Sequence, residues 1–163
     1  MILCGSRLII ILLSIFCIFI LEAELRLALS CKQFKKILKM QITGTSIRPF
    51  IGSKNYKISR NFYLDLGFEE IITSEKMSYF SLGNFGFYLQ DAYVKDWIDN
   101  SMIFLEVENL ENSLNEIQNL KLTDKYENVR LSKIVHNEWG NEFFLHDPCG
   151  ILWHIGNFNS QNK

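Results

Sequence analysis

Histidine and cysteine are the side chains of this chain that could hold a metal or act as a nucleophile, and their spacing indicates neither role. None of the four cysteines, Cys4, Cys17, Cys31 and Cys149, falls in a CxxC or comparable zinc spacing. No GxSxG elbow, phosphate-binding glycine loop or Cys–His motif is present. Covalent catalysis therefore has no support in the sequence, and Cys149 is interpreted as a free thiol in a turn.

His154 is the histidine best placed to line a pocket. It lies in ILWHIGNF, whose alternation of apolar and polar residues predicts a strand with one buried face. A hydrogen-bonded histidine without chemistry and a polar contact to a ligand both fit that position. His136 and His146 fall near predicted strand ends, where a solvent-facing or turn-stabilising role is expected.

Arg48, Trp97 and Trp139 could also contact a ligand. Arg48 lies in an otherwise apolar run, so it either pairs with a carboxylate or presents its guanidinium to an anionic or carbonyl-bearing ligand. Trp97 and Trp139 lie in the loop-like segments DAYVKDWIDNS and HNEWGNE. Loop aromatics beside a cleft can stack on planar or cationic groups, although both could equally be structural anchors.

The composition predicts one domain that does not bind nucleic acid. The chain has 163 residues, of which 48% are hydrophobic, and this is too short for two ordinary domains. The formal charge is +4 over residues 1–39 and −5 over residues 40–163. A mildly acidic domain without a basic stripe lacks the footprint for phosphate backbones.

Residues 1–39 are a hydrophobic segment that resembles a signal or anchor. The run LIIILLSIFCIFIL, residues 8–21, is short for a membrane span of about 20 residues but suits a signal-peptide core or short anchor. A lipoprotein site at Cys31 is disfavoured because charged residues separate it from that run. Alternatively, Met40 is the true start and residues 1–39 are a spurious extension. The protein is then cytoplasmic, and otherwise it is membrane-anchored by residues 8–21.

The domain, residues 40–163, contains an internal repeat. A shift of 54 residues places IRPFIGSKNYKISRNFYLDL (47–66) over SMIFLEVENLENSLNEIQNL (101–120), with five identities that include Asn55 with Asn109. Each copy has a short apolar run, an Asn suited to capping and an amphipathic helix. Three strand-like runs follow each helix, which predicts the order βαβββ twice.

The repeat contains recognisable family motifs. FYLDLGFEE (62–70) and FFLHDPCGILWHI (143–155) resemble the two signatures of the vicinal-oxygen-chelate superfamily, which includes glyoxalases, bleomycin-resistance proteins and extradiol dioxygenases. The strings SIRPFIGSKNYKISRNFYLDLGF, YVKDW, FLEVENLE and WGNEFFLHDPCGILWHIGNF resemble its bleomycin-resistance-like branch. The resemblance covers nearly all of 46–158. It implies an α+β fold with two βαβββ modules whose curled mixed sheets surround a cleft, with a hydrophobic N-terminal helix outside the fold.

Metal-dependent members of that superfamily have four slots facing the cleft, on the first and last strand of each module. Mapped through the repeat, the slots fall at Arg48, Gln90, Met102 and His154. Zinc, nickel and iron sites want His, Glu or Gln with carboxylate charge. Only Gln90 and His154 could coordinate, and Arg48 would place a positive charge beside the ion. The resemblance therefore implies a site without a divalent metal or other cofactor.

The predicted site binds a ligand and has no catalytic residues. It comprises the slots and the aromatic residues expected around the cleft: Arg48, Phe50, Phe87, Gln90, Trp97, Met102, Phe104, Trp139 and His154. The leading hypothesis is a metal-independent protein of the bleomycin-resistance type that sequesters a small molecule, and the resemblance implies a homodimer. The alternatives are a metal-dependent glyoxalase-like lyase or isomerase or ring-cleaving dioxygenase with a displaced ligand set, and a degenerate domain that only binds a partner.

Overall fold

A computed structural model describes residues 22, 24–26 and 43–159 of the chain. Residues Ser46–Lys163 form one compact unit. No helix in the described part of the chain is both long and apolar enough to cross a membrane. The predicted signal or anchor at residues 8–21 lies outside the described residues, and so does Met40.

The first module is a βαβββ unit, as the repeat predicts. Its elements are β1 (Phe50–Gly52), α1 (Tyr56–Asp65), β2 (Glu69–Ser74), β3 (Met77–Leu82) and β4 (Phe85–Gln90). The strands form sheet A in the order β1-β4-β3-β2, in which β1 is parallel to β4 and the other neighbours are antiparallel. Sheet A is therefore mixed.

The second module repeats this topology after a short connecting helix. The elements are α2 (Lys95–Asp99), β5 (Met102–Glu106), α3 (Leu110–Asn119), α4 (Leu122–Lys125), β6 (Arg130–Leu131), β7 (Val135–His136), β8 (Gly140–His146) and β9 (Leu152–Phe158). Sheet B has the order β5-β9-β8-β6, and β7 also pairs with β8. Strand β5 is parallel to β9. The α+β class with two mixed sheets is confirmed.

The two helices that follow the first strands begin with the same cap. Asn55 accepts a hydrogen bond from the Ile58 N–H (3.2 Å), and Asn109 accepts one from the Asn112 N–H (2.9 Å). Because α1 and α3 each have 10 residues and start 54 positions apart, the predicted repeat is confirmed at the level of single residues.

The second strand of the second module differs from the prediction. LSKIVHN (131–137), the first of the three strand-like runs after the second helix, is predicted as one strand, but it is divided between β6, which begins at Arg130, and β7. Between them the Ser132 N–H donates to the Phe144 carbonyl (2.9 Å), and the Ser132 side chain accepts from the Phe144 N–H (2.8 Å). A hydroxyl thus takes the place of a backbone carbonyl, and Ile134 packs against the core instead of continuing the ladder.

Helix α2 was not expected, since the sequence places Trp97 in a loop. The helix buries Ile98, which is 2% exposed, and leaves Trp97 74% exposed. A second detail is wrong in α1. The spacing of Ile58, Phe62 and Leu66 predicts one buried face, but Ile58 is 42% exposed, and the buried positions of the helix are Ser59, Phe62 and Tyr63.

One hydrophobic core joins the two modules. Tyr63 and Phe68 from the first module pack on Phe87 at ring-centroid distances of 4.8 and 5.4 Å. Trp153 from β9 packs on Phe87 at 5.5 Å and on Phe68 at 5.7 Å. Aromatic pairs in this range are attractive beyond the area that they bury. The modules therefore share one core built largely of rings.

A buried polar pair also links the modules. The Tyr63 hydroxyl donates to Asp147 Oδ2 (2.8 Å), and Asp147 Oδ1 accepts the backbone N–H groups of residues 149, 150 and 151 at 2.8 Å each. Burial raises the pKa of Asp147 above its usual value, while these hydrogen bonds act to lower it. Cys149 in the same turn is a free thiol, as expected, and accepts the Lys54 N–H (3.0 Å).

Candidate functional site

Each sheet has a second face, opposite the core, that remains accessible. Burial alternates along the strands, so that Phe87 and Leu89 of β4 are buried while Tyr88 is only partly covered. In β9, Trp153 and Ile155 are buried and His154 is partly covered. We call the accessible face of sheet A open face A, with Arg48, Phe50, Tyr79, Tyr88 and Gln90. Open face B, on sheet B, comprises Met102, Phe104, Glu142, Phe144, His146, Leu152 and His154.

Open face A carries three of the predicted site residues. Phe50 stacks on Tyr88 at 4.7 Å, and Tyr88 lies 5.2 Å from Tyr79. The Arg48 guanidinium lies 4.5 Å from the centre of the Tyr79 ring, a cation–π contact. Gln90 Nε2 lies 4.0 Å from the sulfur of Met77 on β3. The predicted residues Arg48, Phe50 and Gln90 thus belong to one aromatic surface.

Open face B contains a shallow depression of about 480 Å³. It is lined by Met102, Arg130, Leu131, Ser132, Phe144, His146, Leu152 and His154. Two slot residues, Met102 from β5 and His154 from β9, thus border the same depression. They meet because β5 and β9 are parallel neighbours, with Met102 opposite Leu152 and Phe104 opposite His154.

The His154 ring is hydrogen-bonded to the carboxylate of Glu142, a residue that the sequence analysis did not single out. His154 Nδ1 lies 2.7 Å from Glu142 Oε2, and Asn137 Nδ2 donates to Glu142 Oε1 at 3.1 Å. Glu142 is 8% exposed. Phe144 packs edge-on against the imidazole at 5.1 Å. The carboxylate and the ring fix the orientation of His154 and leave Nε2 as its unused nitrogen.

Basic groups lie together at one end of the depression. Arg130 of β6 is paired across the strands with His146 of β8. Burial is the main cause that lowers the pKa of His146, and the nearby charges of Arg130 and His154 lower it further. Arg130 is therefore the group that makes this end of open face B electropositive.

Aromatic side chains border the other end of open face B. Trp139 lies 6.0 Å from Phe104 and 5.4 Å from Phe158, and Phe104 lies 5.4 Å from Phe158. Phe104 is 41% exposed. The predicted residues Met102, Phe104, Trp139 and His154 thus all lie on or beside this face.

The remaining predicted residues lie elsewhere. Phe87 belongs to the core and is 2% exposed, although it also borders a second, apolar cavity of about 420 Å³. That cavity lies between the modules and includes Phe68, Phe104 and Trp153. Trp97, on α2, borders neither space. The structure therefore groups the nine predicted residues into two faces, one core residue and one isolated tryptophan.

Sequence reasoning missed Glu142 and Phe144 of open face B, and also Arg130, which borders the depression. The strand register determines where these residues lie, because it sets Phe144 opposite His154 and Glu142 opposite Gly156. The available signal was the alternation in NEFFLHD, which puts Glu142, Phe144 and His146 on one side of a strand.

The register also changes one slot assignment. Phe50 lies opposite Tyr88, whereas its repeat equivalent Phe104 lies opposite His154. Tyr88, two residues before Gln90, is therefore the counterpart of His154.

These donors do not fit a divalent ion. Within residues 43–159 no group of three or more His, Cys, Asp or Glu side chains is arranged to hold a metal. Met102 supplies only a soft thioether, and Glu142 Oε2 is engaged by His154 Nδ1. The donor set of open face B therefore suits an organic ligand better than a zinc, nickel or iron ion.

The comparisons with known proteins found similarity to solved structures and no match in sequence. No protein-family model matches the sequence, and no curated protein matches it. A bleomycin-binding protein complexed with bleomycin has a TM-score of 0.61 at 17% identity, covering 71% of this chain and 100% of that one. A bleomycin-binding protein from bleomycin-producing Streptomyces verticillus, complexed with copper(II)-bleomycin, has a TM-score of 0.62 at 17% identity, covering 73% of this chain and 100% of that one. Lactoylglutathione lyase from Agrobacterium tumefaciens has a TM-score of 0.53 at 13% identity, covering 71% of this chain and 96% of that one.

The chain shares the fold of these three proteins, which is the fold expected from the resemblance to the vicinal-oxygen-chelate superfamily. The predicted α+β fold of two βαβββ modules is confirmed, and the predicted N-terminal helix at residues 8–21 lies outside the described residues. Because all three identities are low, the similarity carries the fold and not the activity.

Proposed function

We propose that this chain is a metal-independent small-molecule binding protein of the bleomycin-resistance type, which sequesters its ligand on open face B. The observation that carries the proposal is that Met102 and His154, predicted as cleft residues from the repeat, border one depression of about 480 Å³. Its lining is mainly apolar with a few polar groups, which is the usual character of ligand sites. The similar solved structures that hold bleomycin or copper(II)-bleomycin support this class of function.

The proposal includes a homodimer. The depression is shallow, and a sequestering site has to bury most of its ligand. Met102 is 68% exposed, Phe50 59% and Trp97 74%, which is a large apolar surface for a monomer. A symmetric dimer would set an open face of one copy against an open face of the other and close the cleft.

A metal-dependent lyase or dioxygenase is not proposed. Such an enzyme needs at least three suitable donors around an open coordination position. On open face B the free donors are imidazole nitrogens of His146 and His154, and the neighbouring basic residue is Arg130. A cation is poorly accommodated beside that guanidinium.

Thermal unfolding of the full chain tests the binding site. Planar, cationic, anionic and thiol-conjugated compounds are screened, since a ligand that binds only the folded state raises the melting temperature. The Met102→Ala variant is expected to lose the shift that a binding compound causes. The matched control is Leu64→Ala, which truncates an exposed leucine on α1 and should keep the shift. Equal shifts in both variants would contradict binding on open face B.

Sedimentation velocity tests the homodimer separately. The full chain should sediment as a species of twice the 19.1 kDa chain mass. A monomer at concentrations where a compound binds would refute the closed cleft between copies.

A further inference from the structure

An exposed arginine without a carboxylate partner borders the depression on open face B. Arg130 lies on the two-residue strand β6 and is exposed. Its strand partner is His146 of β8, and within the described part of the chain Arg130 takes part in no ion pair. The guanidinium therefore keeps its donors available for a group from outside the chain.

The carboxylate of Glu142 on this face is already engaged. Glu142 accepts hydrogen bonds at both oxygens, from His154 and from Asn137. Its ion pair is with His154, so it does not compensate the charge of Arg130.

The strand register sets the basic and apolar groups of the depression on different strands. Arg130 of β6 lies opposite His146 of β8, His146 lies opposite Leu152 of β9, and Leu152 lies opposite Met102 of β5. Phe144, in the neighbouring row, also lines the depression. A molecule that spans the depression across the strands thus meets basic nitrogen atoms on β6 and β8 and hydrocarbon on β9 and β5.

We propose that the ligand of open face B is an amphipathic organic anion. Its carboxylate, or another anionic oxygen group, lies against Arg130 and His146, and its planar or aliphatic body covers Met102, Phe144 and Leu152. The guanidinium suits this role because its planar fork can bind two oxygens of one anionic group. This inference rests on the proposed function.

Two compounds matched in shape test the charge requirement. Calorimetric titration of the full chain compares 2-naphthoate with the uncharged 2-naphthamide. Naphthoate should bind about tenfold more tightly, which corresponds to about 1.4 kcal/mol. Raising the salt concentration should reduce this preference in the unmodified chain, because the interaction with an exposed guanidinium is screened.

Arg130→Gln identifies the group responsible. This variant should bind the two naphthalene compounds with equal affinity and retain the binding of naphthamide. Lys57→Gln is the matched control, since it removes one positive charge from the exposed surface of α1 and should leave the preference intact.

The possible failures separate the two proposals. If neither compound binds, or if binding survives Met102→Ala, open face B is not the binding site and both proposals are wrong. If both compounds bind equally to the unmodified chain, only the anionic character is refuted. A preference for naphthoate that persists in Arg130→Gln or at high salt would refute the role of Arg130.

Discussion

At the level of single residues, the Tyr63 hydroxyl links the two modules through buried hydrogen bonds to Asp147 and Trp153. Tyr63→Phe removes the donor to Asp147 Oδ2 and the acceptor of the Trp153 indole N–H (3.3 Å). The loss should lower the free energy of unfolding by about 1–3 kcal/mol, because a buried carboxylate oxygen loses its partner. Urea denaturation measures this change.

Tyr126→Phe provides the control for that substitution. The Tyr126 hydroxyl donates to Asp65 (2.9 Å) at the surface, where water can replace it. Its removal should cost less than about 1 kcal/mol. Equal losses of unfolding free energy in the two variants would show that the buried Tyr63–Asp147 hydrogen bond contributes no more to stability than the exposed one.

Glu70 gives the molecule a defined dependence on pH. Its two oxygens accept Arg60 Nε and Nη2 at 2.6 and 2.8 Å, and this pairing holds the pKa of Glu70 below its usual value. A lowered pKa in the folded state stabilises the protein above the unfolded value of 4.5, and this stabilisation is lost as pH falls through the folded value.

The pair should contribute about 0.2–1 kcal/mol at neutral pH, since Arg60 is partly exposed. Urea denaturation of the unmodified chain and of Glu70→Gln should show this difference at pH 7. The difference should shrink below pH 4.5 and disappear once Glu70 is protonated. A difference that is constant from neutral to acidic pH would contradict the assignment.

At the scale of elements, the two asparagine caps make the repeat testable. Asn55→Ala and Asn109→Ala should each lower the free energy of unfolding by about 1 kcal/mol, because each removes the side-chain acceptor for an N–H of the first turn. Asn61→Ala, at an exposed position within α1, should have little effect or stabilise slightly. Denaturant titrations of the three variants measure these free energies of unfolding. A loss of stability at only one cap would show that the two caps do not contribute equally.

The two capped helices α1 and α3 were predictable, whereas α2 and the division of one strand were not. Asn55, Asn109 and the spacing of apolar residues mark helix starts within a few adjacent residues, and this information is local. The division of LSKIVHN into β6 and β7 depends on Ser132 meeting Phe144, a residue 12 positions away. Alternation cannot reveal such a contact, because it reports only which face a residue occupies.

The residues of the candidate site also divide into those that the sequence predicts and those whose places depend on strand pairing. Met102 and His154 could be found because the repeat and the motifs locate the first and last strands of a module. Alternation in NEFFLHD gives the side of the strand on which Glu142 lies, but its contact with His154 follows from the pairing of β8 with β9, and the place of Arg130 follows from the pairing of β8 with β6. The shift from Gln90 to Tyr88 as the counterpart of His154 has the same origin, because sequence alignment of the modules does not fix the register.

For the whole molecule, the shared core explains why both open faces remain available. Phe87 and Trp153 pack on Tyr63 and Phe68 and use the inner faces of the two sheets. The outer faces then retain Phe50 and Met102 in exposed positions. A single chain thus presents two open faces with exposed apolar residues, and these faces are the structural basis of the proposed dimer.

Metal-independent binding is the central claim, and thermal unfolding of the chelator-treated full chain tests it most directly. The prediction is that a compound that raises the melting temperature does so equally before and after chelator treatment, because the contacts come from side chains of open face B. The contradicting result is a shift that appears only when a divalent metal is restored, with stoichiometric metal in protein purified without chelator and loss of that metal in His154→Ala.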